Sequence, residues 1–317
     1  MRSVCCLITL AAVAALSASA NAQDTKVAIA ISGWTGFAPL TLANEAGLFK
    51  KNGLDVTIKK IPQKDRHLAI ASGDVQCAAT TVETWVSWNA NGVATTQIFQ
   101  LDKSYGADGL VVKPGIAKIA DLKGKTVAAS APGTAPYFGL AWILKKNGLS
   151  VKDVKVLTLE PQPVANAMIA GTTDFDGGMT YEPYLSAVRA KPEAGKIIAT
   201  TLDYPMVMDT FGCAPKFLKE NPKAARALAD SYFDALDMIK KDPKKSYEIM
   251  GADVKQSGEA FEKSQAYLRW QDRAANQKFF AGEHQQFTKE AADLLLEIGI
   301  IKQIPDLSGL ADTSFIK

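Results

Sequence analysis

The segment Gly33–Val56, GWTGFAPLTLANEAGLFKKNGLDV, decides the fold of this 317-residue chain. An apolar run, Val27 to Ile31, precedes it and predicts a buried strand. Pro39 suits the first turn of a helix, where its missing N–H is not needed, and apolar residues then recur at helical spacing. Gly53 ends this helix before a second predicted strand at 56–61. Such a β-turn-α-β unit places the unpaired amides of a helix N-terminus at the carboxyl end of a strand, where open α/β sheets bind ligands.

Strands and helices continue to alternate after this unit, which indicates mainly parallel sheets covered by helices. The further predicted elements are a helix at 65–72, strands at 75–79, 95–101 and 110–114, helices at 137–146 and 164–170, and C-terminal helices at 223–240, 243–250, 257–270 and 288–298. Thr80 and Glu83 form a capping-box pattern before another helix. A Gly-rich bend at 101–109 and the segment 204–210 predict two crossovers between two lobes.

The opening segment resembles the start of the periplasmic solute-binding proteins of the nitrate, taurine and sulfonate ABC importers, in the superfamily of the thiamine-pyrimidine synthases. Later stretches agree in order: ADLKGKTVA at 120–128, Gly106-Ala107-Asp108 at a crossing, and Tyr181-Glu182-Pro183. The resemblance implies an α/β, two-lobed periplasmic binding protein type II fold with two interlobe crossovers. We predict a signal peptide at 1–22, lobe 1 at 23–112 and 210–317, and lobe 2 at 113–209.

The first 22 residues have the pattern of a secretory signal peptide. Arg2 is followed by an apolar segment at 4–16 and by Ala20-Asn21-Ala22, an A-x-A cleavage site. The apolar segment is too short to span a bilayer comfortably, and no later segment approaches the roughly 20 apolar residues of a membrane helix. We therefore predict a periplasmic protein that begins at Gln23 and does not span the membrane.

Charge and motifs exclude several other classes of protein. The formal net charge is +3 and cleavage removes only Arg2, so the balance favours neither nucleic acid nor an anionic membrane surface. The chain has only two histidines, His67 and His284, which form no metal-ligand motif, and it has no nucleophile elbow, P-loop or dinucleotide fingerprint. The cysteine-rich iron-binding stretch of the thiamine-pyrimidine branch is also missing. We predict no metal, no cofactor and no enzymatic activity.

Two cysteines, Cys77 and Cys213, remain after cleavage. An oxidising compartment permits a disulfide between them. Their apolar surroundings favour two buried free thiols, because free cysteine behaves as a small hydrophobic residue.

Candidate ligand contacts in the predicted first lobe follow the ends of strands. Trp34 stands between two glycines, which favours an aromatic surface in the cleft over a core position. Thr80, Thr81 and Glu83 either cap a helix or turn their hydroxyls and the free amides toward the cleft, and the sequence leaves both interpretations open.

Other polar or aromatic residues of this lobe are interpreted as structural. Trp85 and Trp88 are three apart on one helix and are expected to pack. Arg66 and His67 follow Lys64-Asp65 at a helix start and are interpreted as surface residues, with a reach into the cleft left open.

In the predicted second lobe, Ser130, Gly133, Thr134 and Tyr137 occupy a strand-to-helix turn. Gly133 allows close approach of the backbone to a ligand. Thr134 and the amides after it offer donors to an anionic group. These four residues are therefore candidate ligand contacts.

Four more candidates lie at a later turn and at the crossovers. Tyr181 and Glu182 precede a helix, which Glu182 could instead cap. Asp108 and Asp209 lie near the two crossovers, where a carboxylate either contacts the ligand or holds backbone amides.

The candidate residues are acidic on balance. Glu83, Asp108, Glu182 and Asp209 stand against one arginine, Arg66. A nitrate or sulfonate site is expected to place an arginine, a lysine or many amides on the anion. An acidic cleft with aromatic faces instead suits an amine or guanidinium group through ion pairing and cation–π contact. A zwitterion would place its anionic half on the amides around Thr134.

Together, the residues and the resemblance predict the solute-binding component of an ABC importer. It would capture a small polar solute, amine-containing, cationic or zwitterionic, by hinge closure, a motion well known in periplasmic binding proteins. The resemblance implies a permease and an ATPase as partners of a monomeric binding protein. Two alternatives stay open: a periplasmic sensing module that delivers solute to a receptor, and a sulfonate- or nitrate-type anion as the ligand.

Overall fold

The computed structural model describes residues 24–317, which form two β-sheets with helices around them. The predicted signal peptide lies outside the described residues. In chain order the strands are β1 (Thr25–Ile31), β2 (Leu54–Lys60), β3 (Cys77–Thr81), β4 (Thr96–Ser104), β5 (Asp108–Val112), β6 (Thr126–Ala129), β7 (Lys155–Thr158), β8 (Gly177–Tyr181), β9 (Lys196–Thr200), β10 (Met208–Cys213) and β11 (Leu268–Trp270). The helices are α1 (Ala38–Glu45), α2 (Leu48–Lys51), α3 (Gln63–Ser72), α4 (Val82–Ala90), α5 (Ala135–Lys146), α6 (Pro161–Ala170), α7 (Tyr184–Arg189), α8 (Pro215–Glu220), α9 (Pro222–Lys241), α10 (Pro243–Asp253), α11 (Gly258–Gln265), α12 (Arg273–Lys278) and α13 (His284–Glu297).

Each sheet combines a parallel group of strands with strands of the opposite direction. The first sheet has the order β11-β4-β10-β3-β1-β2, and the second has the order β7-β6-β8-β5-β9. β1 runs parallel to β2 and β3, whereas β10 lies antiparallel between β3 and β4. In the second sheet β6 is parallel to β7 and β8, and β5 is antiparallel to β8 and β9. The α/β class is confirmed, and each sheet is mixed where a crossover strand joins it.

The opening unit folds as predicted, with one difference. β1 pairs in parallel with β2, and α1 carries Pro39 in its first turn. The predicted single helix is interrupted at Gly47, whose φ of 71° lies in the left-handed region. The helical stretch is therefore divided into α1 and the short α2.

The chain passes between the sheets after β4 and after β9. We propose that each sheet and its helices form one lobe: residues 24–104 and 208–317 for the first, and 108–200 for the second. The predicted boundary followed residue 112; we place it before β5 instead, because β5 pairs with β8 and β9 of the second sheet. The sequence of an apolar strand that follows a crossover does not show which of the two sheets the strand will join.

The C-terminal helices surround the first sheet, as predicted. α9 packs against α1 and β4, and α13 packs against α4. The predicted helix at 257–270 is too long, since α11 ends at Gln265 and residues 268–270 pair with β4 as an edge strand. None of the helices within residues 24–317 combines the length and the apolar content that a membrane span requires.

A disulfide joins Cys77 and Cys213, so the expectation of two free thiols is wrong. The two residues face each other on β3 and β10, and their Cα atoms are 3.9 Å apart. The amide of Ala214 donates to the carbonyl of Gln76, so the cysteines occupy a pair without mutual backbone hydrogen bonds, the kind in which side chains lie closest. The disulfide could not be predicted because the sequence does not reveal the register between two strands that are far apart in the chain.

Replacing both cysteines by alanine (Cys77→Ala with Cys213→Ala) is expected to lower the free energy of unfolding by about 2–5 kcal/mol. The reason is that the bond closes a loop with a sequence separation of 136 and restricts the unfolded chain. Urea unfolding of both proteins measures the difference. Dithiothreitol is the control, since it should destabilise the wild type and leave the variant unchanged. Equal stability under oxidising conditions would contradict the bond.

Candidate ligand-binding site

A small cavity lies between the two sheets at the carboxyl ends of their parallel strands. Its volume is about 70 Å³, which is room for several water-sized groups because one water needs roughly 10–15 Å³. The turns after β1, β2 and β3 form one wall, and the turns after β6, β7 and β8 form the other. The lining residues are Ser32, Trp34, Phe37, Pro62, Gln63, Arg66, Thr80, Thr81, Asp108, Ser130, Ala135, Pro136, Glu160, Tyr181, Val207 and Asp209.

Arg66 is the cation of the cavity wall. Its side chain is 1% exposed, so the interpretation as a surface residue is wrong. Nε donates to the carbonyl of Ile61 at 2.9 Å and Nη1 to the carbonyl of Ala79 at 2.6 Å, which fixes the guanidinium plane. Nη2 is buried and has no hydrogen-bond partner. Burial lowers the pKa of Arg66 to about 10, which leaves it charged at neutral pH.

Two carboxyl groups, from Asp108 and Asp209, line the same cavity. Both are buried, and Oδ2 of each lacks a hydrogen-bond donor. Burial raises the pKa of Asp108 to about 7, and the carboxyl of Glu182 adds to the rise. Asp209 faces Asp102 across the β4–β10 pair. Burial, and next the negative charge of Asp102, raise the pKa of Asp209 well above its usual range.

Trp34 and Tyr181 meet across the cavity, one from each sheet. Their ring centroids are 5.4 Å apart with an interplanar angle of 78°, an edge-to-face contact. The indole Nε1 of Trp34 donates to Oδ1 of Asp102 at 3.3 Å. Asp102 therefore orients the indole from behind while the ring borders the cavity.

Gly36 makes this arrangement possible, because a Cβ there would lie 2.2 Å from both Oδ2 of Asp102 and Nε1 of Trp34. Gly36→Ala is expected to displace the indole, to cost about 1–3 kcal/mol of stability, and to weaken solute binding. Near-UV circular dichroism and calorimetric titration measure the two effects. Gly282→Ala is the matched control, since no atom lies within 4 Å of the place that its added methyl group would occupy. Unchanged tryptophan signals in Gly36→Ala would contradict this role.

Gln63 connects the two walls of the cavity. Its Nε2 donates to Oγ1 of Thr80 at 2.8 Å and of Thr84 at 2.9 Å. Its Oε1 accepts from the backbone N–H of Ala135 at 3.2 Å, on the opposite wall. The side chain thus bridges the two sheets.

The β3–α4 turn differs from the predicted capping box. Thr81, not Thr80, is the N-cap of α4, and the Thr81 hydroxyl donates to the Glu83 carboxylate. Glu83 is buried behind Thr80 and Thr81 and does not line the cavity. Burial raises the pKa of Glu83 to about 8.

Four other candidates of the second wall also lie outside the cavity. Gly133 and Thr134 border a separate groove beside Ser87, because α5 begins at Ala135 and it is Ala135 that faces the cavity. The hydroxyl of Thr134 donates to the carbonyl of Ala131 at 2.7 Å. Tyr137, two residues after Ala135 in α5, is partly exposed and does not line the cavity either.

Glu182, the fourth of them, has a structural role instead of a place in the cavity. Its carboxylate forms an ion pair with Arg189 and accepts from the amide of Ser186 at 3.1 Å, which holds the start of α7.

Trp85 and Trp88 are buried in contact with each other, as predicted, and Nε1 of Trp85 donates to Oγ1 of Thr210 at 2.7 Å.

The cavity therefore brings together seven of the predicted residues: Trp34, Thr80, Thr81, Asp108, Ser130, Tyr181 and Asp209. Sequence reasoning missed Gln63 and Glu160 and underrated Arg66. Glu160 directly precedes α6, and Gln63 begins α3. Both stand at strand-to-helix turns, so the rule that identified Trp34 and Ser130 could have identified them.

Comparison with known proteins identifies the family of this chain. The model of the family described as NMT1/THI5 like matches residues 34–246. This chain belongs to that family. The taurine-binding periplasmic protein of Escherichia coli (strain K12) is 29% identical over 233 residues, which cover 71% of this chain and 69% of that protein. The predicted resemblance to periplasmic solute-binding proteins is thereby confirmed.

Two solved structures share the fold of this NMT1/THI5-like chain. The alkanesulfonate-binding protein SsuA from Xanthomonas axonopodis pv. citri bound to MOPS has a TM-score of 0.78 and 17% identity, and the match covers 92% of this chain and all of that one (100%). The desulfurization enzyme DSZB has a TM-score of 0.66 and 15% identity, with 92% and 97% covered. The fold therefore occurs in both a binding protein and an enzyme.

Proposed function

We propose that this protein is the periplasmic solute-binding component of an ABC importer, and that its cavity takes a small zwitterion with an amine at one end and an anionic group at the other. One observation carries the proposal: a guanidinium with a free N–H group and two carboxyl groups with free oxygens line one small cavity. Buried polar groups are normally hydrogen-bonded, so these atoms favour a polar solute with complementary ends.

Arg66 is the proposed partner of the anionic end. Its other nitrogens are held by backbone carbonyls, which leaves Nη2 as a preoriented donor. Charge-assisted hydrogen bonds from arginine to an oxyanion are short and strong. This differs from the expectation that the amides after Thr134 receive the anion. The similarity to a taurine-binding and an alkanesulfonate-binding protein supports an anionic end.

Asp108 and Asp209 are the proposed partners of the cationic end, with the aromatic faces of Trp34, Phe37 and Tyr181 nearby. An amine here would restore the ionised state of carboxyl groups that burial disfavours, and would gain cation–π contact. A simple anion such as nitrate would instead meet these carboxyl groups without a compensating cation. The cavity composition therefore favours a zwitterion over the alternative of a bare sulfonate or nitrate.

Calorimetric titration with matched solutes tests the ligand class. Taurine contains both ends, ethanesulfonate lacks the amine, and ethylamine lacks the anion. We expect taurine or a similar short zwitterion such as β-alanine to bind at least about 100-fold more tightly than either half-molecule, because each half leaves buried charged groups unpaired. Nitrate or ethanesulfonate binding as tightly as every zwitterion would overturn the proposal.

We propose that the two lobes close around the solute and that a permease with its ATPase recognises the closed, monomeric protein. Contacts from both lobes to one ligand favour the closed form. Reconstitution with the cognate permease and ATPase tests the partners: solute-dependent stimulation of ATP hydrolysis is expected. Stimulation of a receptor kinase instead would favour the sensing alternative.

We further propose that the solute is released unchanged and that the protein acts in the periplasm. Since the fold also occurs in an enzyme, mass spectrometry after prolonged incubation with taurine is the check, and any product would contradict a pure binding role. The buried disulfide suits an oxidising compartment. N-terminal sequencing of the exported protein should begin at Gln23.

A further inference from the structure

Gln63 makes hydrogen bonds to both lobes at once. Its Nε2 donates to Thr80 and Thr84 of the first lobe at 2.8 and 2.9 Å, and lies 3.4 Å from the Thr81 hydroxyl. Its Oε1 accepts from the N–H of Ala135, the first residue of α5 in the second lobe. The N–H groups of a first helical turn have no partner within the helix, so Ala135 depends on Gln63 for this bond.

The orientation of the Gln63 amide is determined by its partners. The backbone N–H of Ala135 can only donate, so the side-chain oxygen of Gln63 must face it. The NH₂ group is then directed at the threonine hydroxyls, and that of Thr81 passes a hydrogen bond on to the buried Glu83. Both ends of the amide are therefore already bonded, although the side chain lies in the cavity wall.

Few other polar contacts join the lobes away from the crossovers. Among residues 24–317, these are the ion pair of Lys145 with Glu297, whose side chains are 45% and 54% exposed, and the cation–π contact of the Arg189 guanidinium with the ring of Tyr267, 3.9 Å from its centroid. Exposed ion pairs contribute little to stability. The bond between Gln63 and Ala135 is thus the polar link across the cavity itself, and opening the lobes breaks it.

We infer that Gln63 is a positioning residue for lobe closure, which stabilises the closed arrangement through its hydrogen bond to Ala135 rather than by contacting the solute. The inference rests on the proposed hinge closure. Removing this bond shifts the ligand-free protein toward open forms, and the affinity for solute falls because the binding-competent form is less populated.

Two variants test the inference from opposite sides of the bond. Gln63→Leu removes the side-chain amide. Ala135→Pro removes the partner N–H and adds a proline ring, at a position in the first turn of the helix that accepts proline. Small-angle X-ray scattering of the ligand-free proteins should give a larger radius of gyration for both variants than for the wild type. Calorimetry with taurine should show affinity lower by about tenfold, and the two changes combined should add little to either alone.

Gln76→Leu is the matched control. Gln76 also accepts from a backbone N–H, that of Ala28 at 2.8 Å, and donates to a carbonyl, that of Gly73, but all within the first lobe. It should leave the radius of gyration unchanged. A radius of gyration equal to that of the wild type in both test variants would overturn the inference. A loss of affinity in Gln63→Leu without a change in scattering would also overturn it, because Gln63 would then be a ligand contact. Because scattering needs no solute, failure of all the solutes to bind would reject the proposed ligand class alone.

Discussion

Arg66→Met is expected to weaken taurine binding by at least about 100-fold, as measured by calorimetric titration. The substitution keeps a long apolar stem but removes the donor that the structure leaves free at Nη2. Truncating one partner of a buried charge pair typically costs 2–5 kcal/mol or more. Arg66→Lys should lose most of the affinity as well, because an ammonium group cannot hold two backbone carbonyls and a ligand in the same planar geometry.

Arg226→Met controls for the loss of backbone contacts. Arg226 also donates to two main-chain oxygens, those of Lys317 and Ser314, but it lies outside the cavity. Its replacement should reduce stability somewhat and leave taurine affinity unchanged. Affinity within a factor of about three of the wild type in folded Arg66→Met would show that the guanidinium does not bind the solute.

Asp108→Asn is expected to reduce taurine affinity by roughly 30-fold or more and to flatten its pH dependence. In the ligand-free protein, burial raises the pKa of Asp108 to about 7, and that of Asp209 higher than its usual range. An amine binds the ionised carboxyl groups. Affinity in the wild type should therefore increase as the pH rises through 7 and fall as the pH drops below it.

The stability of the ligand-free protein should change with pH in the opposite direction. A carboxyl group whose pKa is raised by folding binds its proton more tightly in the folded state, so the free energy of unfolding falls as the pH rises through that pKa. Asp108→Asn should remove part of this loss. Thermal unfolding between pH 5 and pH 8, with and without taurine, measures both trends.

Glu83→Gln is the matched control for this experiment. Burial also raises the pKa of Glu83, to about 8, yet the side chain lies outside the cavity. Its replacement should likewise reduce the loss of stability at high pH while leaving taurine affinity near that of the wild type. Affinity that is independent of pH in the wild type would contradict an amine bound by these carboxyl groups.

The sequence was most informative where local patterns determine the structure. Glycines and Pro39 determine the opening strand-to-helix turn, and this placed Trp34 at the cavity wall. The same rule located Thr80, Thr81 and Ser130, since the carboxyl ends of parallel strands meet at one edge of a sheet. The resemblance to a known family supplied the two-lobed arrangement.

Other features depended on contacts between distant parts of the chain. Arg66 lies in a charged stretch that is typical of a surface helix, and only the packing of α3 against β3 turns it inward. Asp102 lies within a strand whose buried side the sequence does not reveal. The disulfide required the register of β3 with β10. Capping patterns were ambiguous because a small shift in the first residue of a helix changes which side chains face the cavity. Thr81 rather than Glu83 faces it at the start of α4, and Ala135 rather than Thr134 faces it at the start of α5.

The position of β10 has a consequence for the order in which the parts of the chain fold. This strand lies between β3 and β4, yet the entire second sheet precedes it in sequence. Because the polypeptide is synthesised from its N-terminus onward, the contiguous segment 108–200 can complete its own sheet while the first sheet still has a gap beside β3. Closing that gap is a long-range step and therefore slow. Until β10 pairs with β3 and brings Cys213 beside it, Cys77 stays reduced and is open to incorrect oxidation.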